Sequence, residues 1–159
     1  MKLVTVSGPR GAGITEILKR VQEAFPGILH YAERNECPFN VLQDSLTTYP
    51  YVIIEATPEE VRKLHLITGR KDAMLRIFVS APLEERKRRL RAALGEHNFK
   101  VVLQALLGSD PVPAHPPRLR QPIFDLLVHH EEGKIEAVSS RAIRAVGKFT
   151  GLKPVLSIQ

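Results

Sequence analysis

Gly8-Pro9-Arg10-Gly11-Ala12-Gly13 joins an apolar run to an amphipathic one, and no other stretch of the chain limits the fold so tightly. Before it, Lys2 to Ser7 alternates β-branched and small residues, the composition of a buried strand. After it, Ile14, Ile17, Leu18 and Val21 recur at helical spacing. The sequence therefore predicts strand, glycine loop and helix in direct succession.

The same alternation continues downstream. Pro26-Gly27 should stop the first helix by Phe25, and Ile28 to Tyr31 reads as a short strand. Residues 32 to 48 fit no period well, although Pro38 to Leu46 could hold a short helix. Tyr51 to Glu55 is an apolar run ending in an acid, as expected of a buried parallel strand whose carboxyl end faces a ligand crevice. Thr57-Pro58-Glu59-Glu60 then supplies a capping hydroxyl, a proline at the first helical position and a glutamate at the third, so a helix should run from here to about Gly69.

Leu75 to Ser80 gives another strand, and Pro82 opens a helix with Leu83, Leu90 and Leu94 on one side and charged residues around the rest. Gly108 to Pro122 contains five prolines and is expected to form a surface loop. Ile123 to Val128 reads as the last strand, Gly133 as a turn, and Ile135, Val138, Ala142, Ala145, Val146 and Phe149 as one face of a final helix. Strands alternating with helices predict a parallel sheet covered on both faces, with active groups at the strand ends.

Composition narrows the function classes. The 159 residues suit one domain, and 43% apolar with 25% charged residues is ordinary globular usage. No apolar run approaches the roughly 20 residues that cross a bilayer, and Leu3 to Val6 is far shorter than a signal-peptide core, so a cytoplasmic protein with no membrane contact is expected. A formal charge of +6 favours an anionic partner. With no tryptophan and three tyrosines, stacking residues for single-stranded nucleic acid are scarce, which tilts the expectation toward a small phosphorylated ligand. The single cysteine, Cys37, excludes an intrachain disulfide, and the six histidines show no metal-ligand spacing; His129-His130 reads simply as a strand end. No GxSxG supports serine hydrolase chemistry.

Residues Gly8 to Thr15 read GPRGAGIT, matching the phosphate-loop pattern GxxxxGK[ST] at both glycines and the hydroxyl, with Ile14 in place of lysine. The glycines let backbone N–H groups converge on phosphate oxygens, and the following helix adds the positive end of its dipole. The lysine would balance charge developing during transfer, so its loss should weaken catalysis more than binding. A plain tight turn between strand and helix is the competing reading.

Three stretches, VTVSGPRGAGITEI, LRIFVSAPLEERKRRL and FDLLVHHEEGKIEAV, together resemble the nucleoside monophosphate kinases, especially the cytidylate-kinase-like and guanylate-kinase-like proteins. Some cytidylate-kinase-like proteins also lack the loop lysine. The resemblance implies a three-layer α/β fold of the P-loop NTPase type in a single domain over residues 1–159, with a lid around residues 84–121. It implies ATP and Mg²⁺ as cofactors, held by Gly8, Gly11, Ala12, Gly13, Ile14 and Thr15, with Thr15 and Glu55 serving the metal. Arg86 and Arg89 match the lid-entry arginines and are expected in catalysis, with Lys87 and Arg88 solvated. Arg10, Arg118 and Arg120 could replace the missing lysine, and Arg34, with Arg118 and Arg120, is assigned to the acceptor. Two functions stay open: an ATP-dependent phosphotransferase acting on a small acceptor, a nucleoside monophosphate above all, or an inactive kinase-fold module that binds nucleotide, nucleic acid or a protein.

Overall fold

A computed structural model describes residues 2–26, 30–32, 45, 47–68, 73–108 and 124–155. In chain order its elements are β1 (Lys2–Ser7), α1 (Ile14–Ala24), β2 (His30–Ala32), β3 (Tyr51–Glu55), α2 (Pro58–Thr68), β4 (Met74–Ser80), α3 (Leu83–Gly108), β5 (Leu126–His129) and α4 (Ile135–Thr150). The strands form one sheet in the order β2-β3-β1-β4-β5, parallel at every pairing. Parallel neighbours need crossover connections, which is why helices separate the strands in sequence.

Alternation along the strands sorts side chains between two cores. Val4, Val6, Ile53, Ile77 and Val79 face one side, where they pack with Ile17, Leu18 and Val21 of α1 and Val138, Ala142 and Val146 of α4. Leu3, Val52, Ile54, Met74 and Phe78 face the other and meet Val61 and Leu64 of α2. Both faces of the central strand are thus excluded from water, and the molecule has helix, sheet and helix layers. Phe124, just before β5, joins the second core by packing on Phe78 with ring centroids 5.0 Å apart.

Local chemistry sets the ends of the elements. Thr57 and Glu60 exchange the two bonds of a capping box: the Thr57 amide donates to Glu60 Oε2 at 2.6 Å, and the Glu60 amide to Thr57 Oγ1 at 3.2 Å. Phe25 is fully buried, and its amide turns back to the Gln22 carbonyl at 3.1 Å, closing α1 before Pro26. β5 begins at Leu126; Ile123, where the strand was expected to start, lies outside the described residues, and Asp125 instead accepts from the Arg76 amide at 2.8 Å and from its guanidinium at 2.8 and 3.0 Å. The helix opening after Pro82 is broken at Gly95, whose φ of 74° and ψ of 164° suit glycine alone. Leu90 is buried on that helix and Leu94 packs beside it, whereas Leu83 is exposed at its start. The expected helix at Pro38 to Leu46, apart from Ser45, lies outside the described residues, as do Cys37, Arg34, Arg118, Arg120 and the proline-rich segment beyond Gly108.

Candidate phosphate-binding site

β1 is the middle strand, with β3 on one side and β4 on the other. The chain leaves β1 for β2 and β3 and later returns on the opposite side through β4, so its carboxyl end is the switch point where a parallel sheet opens a crevice. A cleft of about 700 Å³ lies there, lined by Gly8 to Thr15, by Glu55 to Pro58 beyond β3, and by Arg89, Leu90 and Ala93 of α3. Ser7 Oγ donates to the Ala56 carbonyl at 2.5 Å and the Ala56 amide to the Val6 carbonyl at 3.0 Å, fixing the two strand ends against each other. The expected loop residues, Arg10, Glu55 and Arg89 therefore share one cleft. A larger cleft of about 810 Å³, between α1, α4 and the residues after Gly151, has no residue in common with it and contains none of the expected site residues.

The loop permits only glycine at its three key positions. Gly11 and Gly13 have φ of +81° and +87°, the left-handed region that other residues avoid. A Cβ on Gly8 would fall 2.3 Å from the Val79 carbonyl oxygen, and one on Gly13 2.5 Å from His130 Nδ1. Gly13 is also the N-cap of α1 and offers no side-chain acceptor. The first bond of the helix runs from the Ile17 amide to the Gly13 carbonyl at 3.2 Å, so the amides of Ile14, Thr15 and Glu16 precede any intrahelical acceptor. Such an end favours an anion.

Ile14 turns its side chain into the core with Ile17 and Val6, leaving its main-chain amide as what it can offer a phosphate. Thr15 is exposed and Glu55 half-buried, and both line the cleft. No group of three or more histidine, cysteine, aspartate or glutamate side chains gathers among the described residues. Magnesium commonly takes most of its ligands from phosphates and water, and Thr15 and Glu55 are among the oxygen-bearing side chains that line the cleft.

The two expected catalytic arginines reach the loop but address its carbonyls. Arg86 is only 4% exposed, and its Nε donates to the Arg10 carbonyl at 2.9 Å. Arg89 Nη1 donates to the carbonyls of Gly11 at 3.3 Å and Ala12 at 3.1 Å, and its Nη2 to that of His130 at 3.3 Å. Glu85, 10% exposed, pairs with Arg89 at 3.0 Å and with Arg88 at 2.7 Å. The Arg88 hydrogen bond, with the charge of Arg89 beside it, holds the Glu85 carboxyl below the usual carboxylate range. Lys87 and Arg88 make surface pairs with Glu84 and Glu132, as expected of solvated residues.

His130 corrects the reading of His129-His130 as a plain strand end. His129 does close β5, but the next side chain is 96% buried, and its Nδ1 lies 2.9 Å from the Ala12 carbonyl. The only hint in the sequence was its place after a strand whose carboxyl end faces the same side as the loop.

No family model matches the chain, and no curated protein matches it in sequence. Solved structures do match in shape. Shikimate kinase from Acinetobacter baumannii in complex with shikimate superposes with a TM-score of 0.54 at 15% identity, covering 93% of this chain and 94% of that one. A gluconokinase from Sinorhizobium meliloti gives 0.56 at 12% identity over 94% of both chains. An uncharacterized protein from Eubacterium ventriosum gives 0.62 at 11% identity, covering 92% of this chain and 98% of that one. The three-layer α/β fold is the one that these solved structures share. No described helix is long and apolar enough to cross a membrane.

Proposed function

We propose that the chain is a phosphotransferase that binds ATP with Mg²⁺ at the glycine loop and passes the terminal phosphoryl group to a small acceptor. The observation that carries this reading is the loop itself. Three positions bar any side chain, and an uncapped helix end opens beside them at the switch point of a parallel sheet. Backbone amides would grip the donor phosphates, and Mg²⁺, when bound with the nucleotide, would spread the charge on their oxygens. Arg10, exposed in the loop, is the side chain best placed to bring the positive charge that Ile14 does not. The sequence resemblance favours a nucleoside monophosphate as acceptor. Arg34, after the second strand, and Arg118 and Arg120, in the proline-rich segment, are the acceptor-binding residues of this reading by their place in the sequence, and residues 84–121 are its lid within a single domain.

A second reading has an observation of its own. Arg86 and Arg89 are engaged with loop carbonyls, and Ile14 is in the core, so fewer cations face the transferring group than such chemistry normally uses. A module that binds nucleotide without turning it over fits those facts.

Release of ADP from Mg·ATP separates the two readings when measured against a panel of nucleoside monophosphates, shikimate and gluconate, with a no-acceptor control and Ile14→Lys alongside. Acceptor-dependent turnover is expected, strongest with a nucleoside monophosphate and raised by Ile14→Lys. Nucleotide binding with no turnover in the native chain, and turnover in the variant, would instead establish the binding module.

A further inference from the structure

Three side chains from outside the loop fix three of its consecutive peptide planes. The carbonyl of Arg10 is held by Arg86 Nε at 2.9 Å, that of Gly11 by Arg89 at 3.3 Å, and that of Ala12 by both Arg89 at 3.1 Å and His130 Nδ1 at 2.9 Å. A trans peptide is planar, with its N–H opposed to its C=O, and the described chain has no cis bond. Pinning the Ala12 carbonyl on the His130 side therefore aims the Gly13 amide the opposite way, and pinning the Arg10 carbonyl does the same for the Gly11 amide. The intervening Ala12 amide is used inside the loop, donating to the Pro9 carbonyl at 3.1 Å.

We propose that His130, together with Arg89, is a positioning residue that pre-sets the glycine loop for a polyphosphate from behind the loop. This rests on the reading of the loop as a phosphate site. Amides that converge on one point repel each other until an anion arrives, so an empty cradle keeps its shape only if something holds the carbonyls on its outer side. The histidine is suited to that task. A carbonyl can only accept, so Nδ1 carries the proton; the ring is 4% exposed, which keeps water from competing; and its own amide is tied to the Ser80 carbonyl at 2.7 Å. The ring also rests against Gly13, where a Cβ would be 2.7 Å from Cε1, so the glycine and the histidine fit as a pair. Arg89 adds a positive charge at the cleft wall while its guanidinium is fixed by Glu85.

The test is titration calorimetry of sodium tripolyphosphate and of Mg·ATP, with the Gly13 amide resonance followed by NMR, in the native protein, His130→Ala, His130→Asn and His130→Gln. Asparagine keeps an N–H donor where Nδ1 stood, and glutamine moves it one bond further out. Binding should weaken about tenfold in His130→Ala, the effect of losing one well-placed buried hydrogen bond, and the Gly13 shift should shrink. His130→Asn should restore both, which a loss of general packing would not permit. Equal affinity and an equal Gly13 shift in His130→Ala would overturn the positioning role and leave the phosphate site standing. Failure of the native protein to bind either probe would overturn the phosphate site and the positioning role with it. Should His130→Ala not fold, the decision passes to His130→Asn against His130→Gln: tighter binding by the asparagine variant supports the proposal, and equal binding overturns it.

Discussion

Gly13 meets two demands that no other residue satisfies together: a φ of +87° and an empty space where His130 Nδ1 would lie 2.5 Å from a side-chain carbon. Replacing it by alanine should cost about 2 kcal/mol, from the left-handed backbone and the displaced histidine combined. Urea unfolding of Gly13→Ala measures that cost, and native-like stability would mean that the loop adopts another shape. Nucleotide binding should fall with it, because the same displacement takes His130 from the Ala12 carbonyl and leaves Arg89 as its one remaining donor among the described residues. The glycines were legible in the sequence because positive φ and close approach both select a residue that can be read by eye. His130 was not, since its partner is 118 positions away and its place after a strand end is the one local sign of it. The arginines were told apart by the resemblance alone: in composition Arg86, Lys87, Arg88 and Arg89 are alike as a charged run, and it is the phase of α3 against the loop that buries the first and pairs the third at the surface.

At the scale of elements, the first turns of α3 are the back wall of the loop, and Glu85 is their charge anchor. Its carboxyl is held below the usual carboxylate range by Arg88 and then Arg89, so the folded protein releases that proton more readily than the unfolded chain. The sign follows from linkage. The stabilisation is fully present above the ordinary glutamate range and is lost as the pH falls through the lowered folded value. Glu85→Gln should therefore be less stable than the native protein at neutral pH, with a smaller loss of stability on acidification. Unfolding followed from pH 7 (about neutral) down into the carboxylate range checks this; parallel profiles for the two proteins would remove Glu85 from the anchor. Element boundaries were legible where one residue's chemistry sets them, as the side chains of Thr57, Pro58 and Glu60 do for α2 and the positive φ of Gly133 does for the turn before α4. The break at Gly95 is not legible in the sequence, because Leu90 and Leu94 are in helical phase up to it and a lone glycine is tolerated within a helical pattern.

Across the whole molecule, the order β2-β3-β1-β4-β5 puts the loop where the crossovers part, directly after β1, whose residues from Leu3 to Ser7 are all buried. A ligand that binds only the folded state stabilises it by about 2.7 kcal/mol at one hundred times its dissociation constant. For a chain of this length each kcal/mol raises the melting temperature by about 2 to 4 °C, so Mg·ATP at that excess should raise it by about 5 to 10 °C. The formal charge of +6 complicates the simplest version of the measurement, since any polyanion is drawn to such a surface. Ionic strength resolves it. A shift produced by phosphates seated on fixed amides should weaken only modestly as salt is raised from about 50 to 200 mM, while binding to nucleic acid through many lysines and arginines would fall by about three orders of magnitude or more over the same range. A nucleotide-induced shift that survives salt places the ligand in the cradle. No shift with nucleotide, together with salt-steep retention of nucleic acid, would move the function from the loop to the basic surface and make the kinase fold a scaffold for it.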